Sequence, residues 1–270
     1  MMERMVEQRV NELSSAHNTL QKLDKNKSDF IQVAAHELRT PLTVIKGYMG
    51  MIKAAPAIQE NPTLSQAMDG VIQGTNRLHQ IVNSMLDVAR LENQVLTPHL
   101  ETVALGPVLR LINKDYVDDL KERKITLNLD PDINTAPPVL ADSELLKKVL
   151  DNVIVNAIKF TPDGGSIFVS AETVQVDGRG AVCEIRVRDT GIGIAQENHK
   201  IIFEKLYQIG KVELHSSGRT KFKGGGPGLG LAIAAGIVKA HKGKIWVESS
   251  GYDEEKLPGS TFFIHIPLAK

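Results

Sequence analysis

The chain lacks several features that would assign it to large classes of protein. Its single cysteine, Cys183, excludes an internal disulfide and a cysteine-rich zinc site. Because Cys183 lies in an alternating apolar run, we expect a buried structural thiol, which is compatible with a reducing cytosol. No apolar run approaches the roughly 18 residues of a membrane span, and no signal peptide opens the chain. We therefore expect no membrane segment and a cytoplasmic location, with any membrane tether outside this sequence.

The chain also lacks net charge. Its 32 lysines and arginines balance 32 aspartates and glutamates, so no global field would recruit nucleic acid or an anionic membrane. The 270 residues are 42% hydrophobic and 24% charged, which is ordinary for a soluble protein, and the length favours about two domains.

The first 27 residues are polar and favour a helix with a thin heptad pattern. Arg9 and Lys27 interrupt the pattern, in which apolar residues recur every seven positions: Val6, Leu13 and Leu20, with Met2, Ala16 and Leu23 at the partner positions. The pattern predicts a short, weak coiled coil over residues 1–27 that runs directly into the next helix. A frayed surface helix is the alternative.

The next helix is predicted from Phe30 to Ile52. Its apolar residues recur at intervals of three or four along one stripe: Phe30, Ala34, Leu38, Leu42, Ile45, Met49 and Ile52. His36 lies off this stripe on the polar face, with Glu37 beside it and Thr40 one turn later. An imidazole displayed there suits chemistry at an exposed ring nitrogen, although a solvated surface histidine has the same pattern. Pro41 falls inside the helix and is expected to kink it about one turn after His36.

A second long helix is predicted from about Thr63 to Glu92, after a proline-containing loop. Two long helices with broad apolar stripes and a short connection make an antiparallel hairpin. One hairpin cannot cover that much apolar surface, so we expect residues 28–93 to dimerise into a four-helix bundle.

The pattern changes after Asn93, where short strands and helices are mixed up to the end of the chain. Strands are predicted at 125–129, 139–141, 166–176, 181–188, 245–249 and 260–266. Helices are predicted at 106–123, at 143–160 with Asp142 as the N-cap, at 196–205 and at 228–241. We therefore expect residues 94–270 to form an α/β layer with a mixed sheet.

The predicted helix after Asp142 groups polar side chains on one face. Asn152, Asn156 and Lys159 project together, away from the centre of the apolar stripe. Carboxamide oxygens four residues apart suit a hard cation, and a lysine suits phosphate. Solvation of the helix is the alternative, although asparagine is a poor residue in a helix interior.

Two glycine-containing segments also have the character of a nucleotide site. Asp189 directly follows a strand, so its carboxylate can accept from an exocyclic amine, while Gly191 and Gly193 let backbone approach a flat ring. An ordinary turn has the same pattern. Residues 224–231 lead into a helix and expose N–H groups to phosphates, with a spacing that is neither the Rossmann nor the Walker pattern. Residues 208–223 are basic and predict a mobile lid over a polyphosphate. An ordinary loop is the alternative.

Taken in this order, the segments resemble the catalytic core of a sensor histidine kinase of two-component signalling. The resemblance covers about residues 25–268 and rests on five motifs. These resemble the family's phosphoacceptor box (His36 to Leu42), asparagine box (Asn152 to Pro162), two glycine boxes (Asp189 to Gly193 and Gly226 to Gly230) and phenylalanine box (Ile202 to Tyr207). It implies a dimeric helical-hairpin domain followed by an ATP-binding α/β sandwich of the kind shared with gyrase and Hsp90-type ATPases.

The resemblance also implies roles for the matched residues. His36 would be phosphorylated on a ring nitrogen, Glu37 would orient or deprotonate the imidazole, and Thr40 would position water when the kinase dephosphorylates its partner regulator. Asp189 would bind the adenine amine, and Asn156 would ligand Mg²⁺. The other ATP-binding residues implied are Asn152, Lys159, Gly191, Gly193, Gly226, Gly228, Leu229 and Gly230.

The implied reaction is phosphoryl transfer from ATP–Mg²⁺ to His36 and then to an aspartate of a response regulator, with phosphatase activity toward that regulator. Because the ATP-binding domain must reach His36, the segment from Leu91 to Val95 is expected to act as a hinge. The sequence departs from the family pattern at Pro227, which lacks an N–H, and at Leu145 and Lys148, where arginine and glutamine are frequent. None of these changes removes an essential group.

Two alternatives come from other functional classes. One is a phosphatase or scaffold core that binds nucleotide but hardly autophosphorylates, which a damaging effect of Pro227 would favour. The other is an ATPase that couples hydrolysis to conformational change, as in gyrase or chaperones. The second alternative would need no exposed histidine on a helical bundle, and this chain has one.

Overall fold

A computed structural model describes residues 31, 33–92, 96–178, 180–207, 220–224 and 227–269. The chain divides into two compact units, Met1–Val95 and Leu96–Lys270. Three predictions fall wholly or mostly outside the described residues: the coiled coil over residues 1–27, the hinge from Leu91 to Val95 and the lid at 208–223. Gly226 lies outside them as well.

The first unit contains two long helices joined by a short one. Helix α1 covers residues 33–53, α2 is Pro56–Gln59 and α3 is Pro62–Glu92. Asn61 caps α3, because its side-chain oxygen accepts from the backbone N–H groups of Thr63 and Leu64 at 3.1 and 3.2 Å. Helix α1 continues as a helix across Pro41, and the kink expected there stays a prediction.

The two long helices run antiparallel. Contacts pair Arg39 with Asn83, then Met49 with Thr75, then Lys53 with Asp69, so positions advance along α1 as they retreat along α3. The buried cluster between them consists of Ala35, Leu42, Val82 and Leu86. The predicted helical hairpin is therefore present.

The apolar stripe of α1 is covered only along one edge. Ala35, Leu42 and Met49, spaced by seven residues, are buried. A second row with the same spacing remains between 45% and 47% exposed in the isolated chain: Leu38, Ile45 and Ile52. Two rows spaced in this way are the pattern of a helix that packs against neighbours on two sides.

The second unit is built on a five-stranded mixed sheet. In chain order the strands are β1 (Glu101–Val103), β2 (Thr126–Leu129), β3 (Val139–Ala141), β4 (Ser166–Val176), β5 (Gly180–Asp189), β6 (Lys244–Glu248) and β7 (Ser260–Pro267). The sheet order is β2-β4-β5-β7-β6, in which β2 and β4 are parallel and the other pairs antiparallel. The remaining strands, β1 and β3, form a separate antiparallel pair.

Helices form the second layer of this unit. They are α4 (Leu105–Asp115), α5 (Val117–Glu122), α6 (Ser143–Phe160), α7 (Asn198–Ile201) and α8 (Gly230–Ala240). Helix α6 packs against β5 and contacts both α4 and α8. Its predicted apolar stripe is buried, and the Asp142 carboxylate accepts from the Leu145 N–H at 3.0 Å, which confirms the predicted N-cap.

Two helices differ from their predicted extents. The helix predicted over 106–123 is broken at Tyr116, whose buried ring directs its hydroxyl to Asp151 of α6 at 2.7 Å. The helix predicted over 196–205 is a single turn, Asn198–Ile201. Further along, Leu206 has a left-handed φ of 61°, and its N–H bonds to the Gly228 carbonyl at 3.0 Å.

Two expectations drawn from composition can be compared with the structure. Cys183 is buried, and burial is the main reason why its pKa is raised to about 11, as expected for a structural thiol. None of the described helices is both long and apolar enough to cross a membrane.

Candidate active site

His36 is displayed to solvent on α1. Its side chain is 72% exposed, and its Nδ1 lies 3.8 Å from a carboxylate oxygen of Glu37. That distance is longer than a hydrogen bond, so the pair is held only loosely in this chain. The Thr40 hydroxyl lies one turn further along the helix and reaches back to the His36 carbonyl at 3.5 Å. Glu37 and Thr40, for which separate roles are predicted, are therefore both exposed beside His36.

A polar link between the helices lies one turn from His36. The Arg39 guanidinium donates to the side-chain oxygen of Asn83 through Nε at 3.1 Å and Nη2 at 2.7 Å. The amide nitrogen of Asn83 in turn lies 3.1 Å from Nδ1 of His79, so this ring nitrogen accepts. The link sets where the Arg39 cation lies on α1, close to His36 in sequence. The periodicity of α1 does not predict this link. The only sequence signal for it is the spacing of four residues between His79 and Asn83, which places both side chains on one face of α3.

Asp189 is a strongly perturbed carboxylate of the second unit. It ends β5 with only 5% of its surface exposed, and burial raises its pKa to about 6. Backbone N–H groups of Gly191, at 2.8 Å, and of Ser260 partly offset the effect of burial. The residue is thus a buried acceptor whose charge is incompletely compensated by the protein, which is the condition for binding a donor such as an exocyclic amine.

The two glycines after Asp189 are required by their surroundings. A Cβ atom at Gly191 would collide with the Phe160 carbonyl and approach the Asp189 carboxylate. Gly193 has a φ of 73°, and a Cβ atom there would collide with the Gly251 carbonyl. Both glycines therefore bring backbone close to other backbone beside Asp189, as predicted from the sequence.

The described part of the second glycine segment meets the face of α6 that carries the asparagines. Gly228 has a φ of 67°, Leu229 is buried, and α8 begins at Gly230 without a side-chain cap on its first turn. A Cβ atom at Gly230 would lie 3.1 Å from the side-chain oxygen of Asn152. The uncapped N-terminus of α8 therefore faces Asn152, and its N–H groups are suited to an anionic group.

The carboxyl end of α6 joins the predicted motifs to one another. The last carbonyls of a helix lack partners within the helix. Here Ala157 accepts from Thr161, Ile158 from Arg123, Lys159 from the Lys223 N–H at 2.8 Å and Phe160 from the Ile192 N–H at 3.1 Å. Each of these carbonyls has a partner, so the end of the asparagine-bearing helix is bonded both to the segment after Asp189 and to the segment before the second glycines.

Asn156 and Lys159 are half-buried on α6. Among the described residues there is no group of three or more His, Cys, Asp and Glu side chains that could hold a metal ion. A carboxamide oxygen can still serve as one ligand of Mg²⁺, which commonly takes the rest of its ligands from water and substrate phosphates. The half-buried carboxamide of Asn156 fits the role of a single protein ligand to a cation that arrives with a polyphosphate.

Two family models match the chain. Residues 26–94 match the His Kinase A (phospho-acceptor) domain, and residues 141–270 match the histidine kinase-, DNA gyrase B-, and HSP90-like ATPase. The first match contains the exposed His36, and the second contains α6, Asp189 and the glycines. This chain belongs to the histidine kinase family.

Curated histidine kinases align with most of the chain but are much longer. Over 265 residues the chain is 30% identical to hybrid signal transduction histidine kinase D of Dictyostelium discoideum, an alignment that covers 97% of this chain and 16% of that protein. Over 232 residues it is 32% identical to sensor histidine kinase WalK of Bacillus subtilis, covering 85% of this chain and 35% of that protein. The chain thus corresponds to a minor part of each relative's length.

Solved histidine kinases share the fold. Full-length ShkA in complex with AMPPNP superposes with a TM-score of 0.66 at 25% identity, covering 90% of this chain and 46% of that one. The Acinetobacter baumannii histidine kinase AdeS superposes with a TM-score of 0.55 at 25% identity, covering 87% of this chain and 98% of that one.

Several contacts that organise this histidine kinase core are not marked by any sequence motif. Arg123 is the last residue of the helix predicted over 106–123, and its guanidinium donates to the carbonyls of Ile158 and Thr220. His241 is buried at the end of α8, where Nε2 accepts from the Asp142 N–H at 3.0 Å and Nδ1 donates to the Ile237 carbonyl at 2.8 Å. Since each residue contacts segments far away in the chain, local periodicity could not have identified either one.

Proposed function

We propose that this chain is the catalytic core of a two-component sensor histidine kinase. It transfers the γ-phosphoryl group of ATP to His36 and then to an aspartate of a response regulator. The observation that carries the proposal is the presence in one chain of a solvent-exposed imidazole on a helical hairpin and a buried, incompletely compensated Asp189 beside the asparagine-bearing helix. An ATPase of the gyrase or chaperone type has no need of the first feature.

A ring nitrogen of His36 is the proposed nucleophile. Glu37 lies on the Nδ1 side of the ring, so it favours a proton on Nδ1 and leaves the lone pair on Nε2. Attack of Nε2 on the γ-phosphorus forms the N–P bond, breaks the bond to the β–γ bridging oxygen and releases ADP. The high exposure of His36 suits this role, because the acceptor must be reachable by a separate nucleotide-binding unit.

We assign ATP to the second unit, with the adenine amine donating to Asp189 and the phosphates near Asn152, Lys159 and the start of α8. Gly191 and Gly193 would border the base, and Gly228, Leu229 and Gly230 would shape the phosphate end. Mg²⁺, held by the Asn156 side-chain oxygen together with phosphate oxygens, would neutralise charge on the triphosphate. Gly226 is also assigned to the phosphate end, on the basis of its sequence motif alone.

We propose that the hairpin forms a homodimer. The exposed row of Leu38, Ile45 and Ile52 runs beside the buried row of α1, and a partner hairpin would cover it in a four-helix bundle. The response regulator would dock near His36, where Thr40 would position water for dephosphorylation of the regulator. We propose a cytoplasmic location, since both ATP and a reduced Cys183 belong to that compartment.

Labelling with γ-³²P-ATP tests the kinase activity. We expect an acid-labile, base-stable adduct on the full chain that disappears in His36→Gln. His99→Gln is the matched control, since it changes an exposed histidine of the other unit and should leave the label in place. Label that persists in His36→Gln would contradict the assignment of the phosphoacceptor.

Transfer and dephosphorylation are tested separately. The labelled chain is mixed with receiver-domain proteins from the same genome, and the label should move to an aspartate of one of them. Thr40→Ala should retain autophosphorylation but slow the loss of label from that regulator. An unchanged rate of loss would remove Thr40 from the proposed phosphatase chemistry.

A further inference from the structure

Arg123 is a buried cation that the proposed chemistry does not use. It lies in the turn between α5 and β2, and it is only 7% exposed. A buried arginine is tolerated when its donors are satisfied, because an unpaired buried charge is strongly destabilising. The partners of Arg123 therefore identify the segments of the chain that it holds together.

One set of partners lies at the carboxyl end of α6. The guanidinium donates through Nη1 to the Ile158 carbonyl and through Nη2 to the Thr161 carbonyl, each at 2.7 Å. A cation there also compensates the partial negative charge of the helix C-terminus. Nε of Arg123 donates to Asp163, whose side chain is 69% exposed, at 2.7 Å.

The other set of partners lies in the segment of residues 220–224, which we call the stem because it leads into the second glycine segment. Nη1 of Arg123 donates to the Thr220 carbonyl at 2.7 Å, and the guanidinium lies 5.8 Å from the centre of the Phe222 ring. The Thr220 hydroxyl also donates to Asp119 of α5 at 2.7 Å. Two residues of the α5–β2 corner, Asp119 and Arg123, therefore hold the first half of the stem.

The second half of the stem is bonded to the nucleotide side of the unit. The Lys223 N–H donates to the Lys159 carbonyl, and the Lys223 side chain pairs with Glu254 of the loop between β6 and β7. Because Arg123 holds both α6 and the stem, it determines the position of one relative to the other. Only an arginine supplies enough donors in a planar fork to serve a carboxylate and three carbonyls at once.

We propose that Arg123 is a positioning residue for nucleotide binding, acting through the stem from outside the proposed ATP site. It sets the distance between the face of α6 that bears Asn156 and Lys159 and the glycine segment that follows the stem. This inference rests on the proposed function, since the ligand whose affinity it controls is a nucleoside triphosphate.

The test compares nucleotide affinity with stability in the full chain. Thr220→Val with Phe222→Leu removes the side-chain contacts of the stem with Asp119 and Arg123, and Asp163→Ala removes one contact of Arg123 that does not involve the stem. The dissociation constant of a non-hydrolysable ATP analogue is measured by calorimetry, and the midpoint of thermal unfolding is measured without nucleotide. We expect the stem variant to bind about three- to tenfold more weakly, as for the loss of a hydrogen bond, with an unchanged midpoint. Asp163→Ala should bind as the wild type does.

Coupling between Arg123 and the stem provides the second measurement. Arg123→Gln should also weaken binding, but less in the stem variant than in the wild type, because both changes act on the same segment. Relative to Arg123→Gln, Arg123→Lys should recover more of the thermal stability than of the nucleotide affinity. The reason is that one ammonium group cannot bind both α6 and the stem. If Arg123→Gln fails to fold, the stem variant alone decides.

Two results would overturn the inference, and they differ from failure of the proposed function. A nucleotide affinity equal to that of the wild type in the stem variant would show that the stem does not transmit the effect of Arg123. The same conclusion would follow if the losses of affinity from Arg123→Gln and from the stem variant were additive in the combined variant. Absence of binding by the wild-type chain would instead refute the proposed ATP site, and the inference would fall with it.

Discussion

Replacement of Asp189 by asparagine is expected to stabilise the second unit while it weakens nucleotide binding. The carboxylate is buried at the end of β5, and burial raises its pKa to about 6. Keeping the group ionised at neutral pH therefore costs folding free energy. Asparagine has nearly the same shape and can still accept from the Gly191 N–H, but it carries no charge.

The magnitude follows from the shift in pKa. The difference between about 6 and the ordinary value of 3.8 corresponds to about 3 kcal/mol, which is the upper limit of what the substitution can recover above pH 7. Because asparagine is a weaker acceptor, we expect about 1–3 kcal/mol, or a rise of several degrees in the unfolding midpoint. Loss of a charged acceptor for the adenine amine should weaken ATP binding by about tenfold to a hundredfold.

The dependence on pH identifies the cause. Since the folded-state pKa lies above the unfolded-state value, the folded protein holds the Asp189 proton more tightly. The stabilisation from that proton is complete below about pH 3.8 and is lost as the pH rises through about 6. The advantage of the asparagine variant should therefore be largest above pH 7 and should shrink as the pH falls below 6.

Thermal unfolding between pH 4.5 and 8, together with calorimetry of ATP binding, measures both effects. Asp177→Asn is the control, because it makes the same chemical change at an exposed position in the turn between β4 and β5. An Asp189→Asn variant that is less stable than the wild type at pH 7.5 would refute the reasoning. An advantage that does not change with pH would show that charge burial is not its source.

Three further predictions concern the site and the hairpin. ATP affinity of the wild type should fall about tenfold per pH unit below pH 6, because protonated Asp189 is no longer a charged acceptor for the amine. Calorimetry at constant ionic strength would show this fall, and a flat profile down to pH 5 would contradict it. Gly191→Ala should destabilise the second unit by about 1–3 kcal/mol and impair ATP binding, because the added Cβ atom would collide with the Phe160 carbonyl. Denaturant unfolding measures the loss of stability. An unfolding midpoint equal to that of the wild type would show that the backbone can shift to make room for the Cβ atom. Ile45→Glu should convert the proposed dimer to a monomer, as measured by light scattering. Leu111→Glu, which changes a similarly exposed leucine of the second unit, should remain a dimer. If both variants are dimers, the interface lies elsewhere.

Much of the second unit was predictable because its signals are local. The apolar stripe of α6 and its Asp142 cap depend on residues within a few positions of one another, and both are confirmed. The hairpin of β4 and β5 was likewise indicated by alternation and by glycines, and Gly178 and Gly180 have φ values of 74° and 76°. Each of these signals is a property of a short segment.

The predicted helices over 106–123 and 196–205 were both wrong in extent. The first is broken at Tyr116, which turns its ring into the core toward Asp151. Asp151 does not lie within the window over which a helical pattern is read, so a tertiary contact overrode local propensity there. In the second, only Asn198–Ile201 is helical.

The sequence by itself determined which chemical groups this protein offers. His36 on a polar helix face, the asparagines of α6, Asp189 and the glycines are all visible as motifs, and their order indicates the histidine kinase family. Only the tertiary structure decided how strongly those groups are perturbed and what holds them together. The burial of Asp189, the bonding of the last α6 carbonyls to the Arg123, Lys223 and Ile192 donors, and the uncovered row of α1 all arise between segments far apart in the chain. Desolvation and long-range hydrogen bonds depend on which surfaces meet, and no local pattern encodes that.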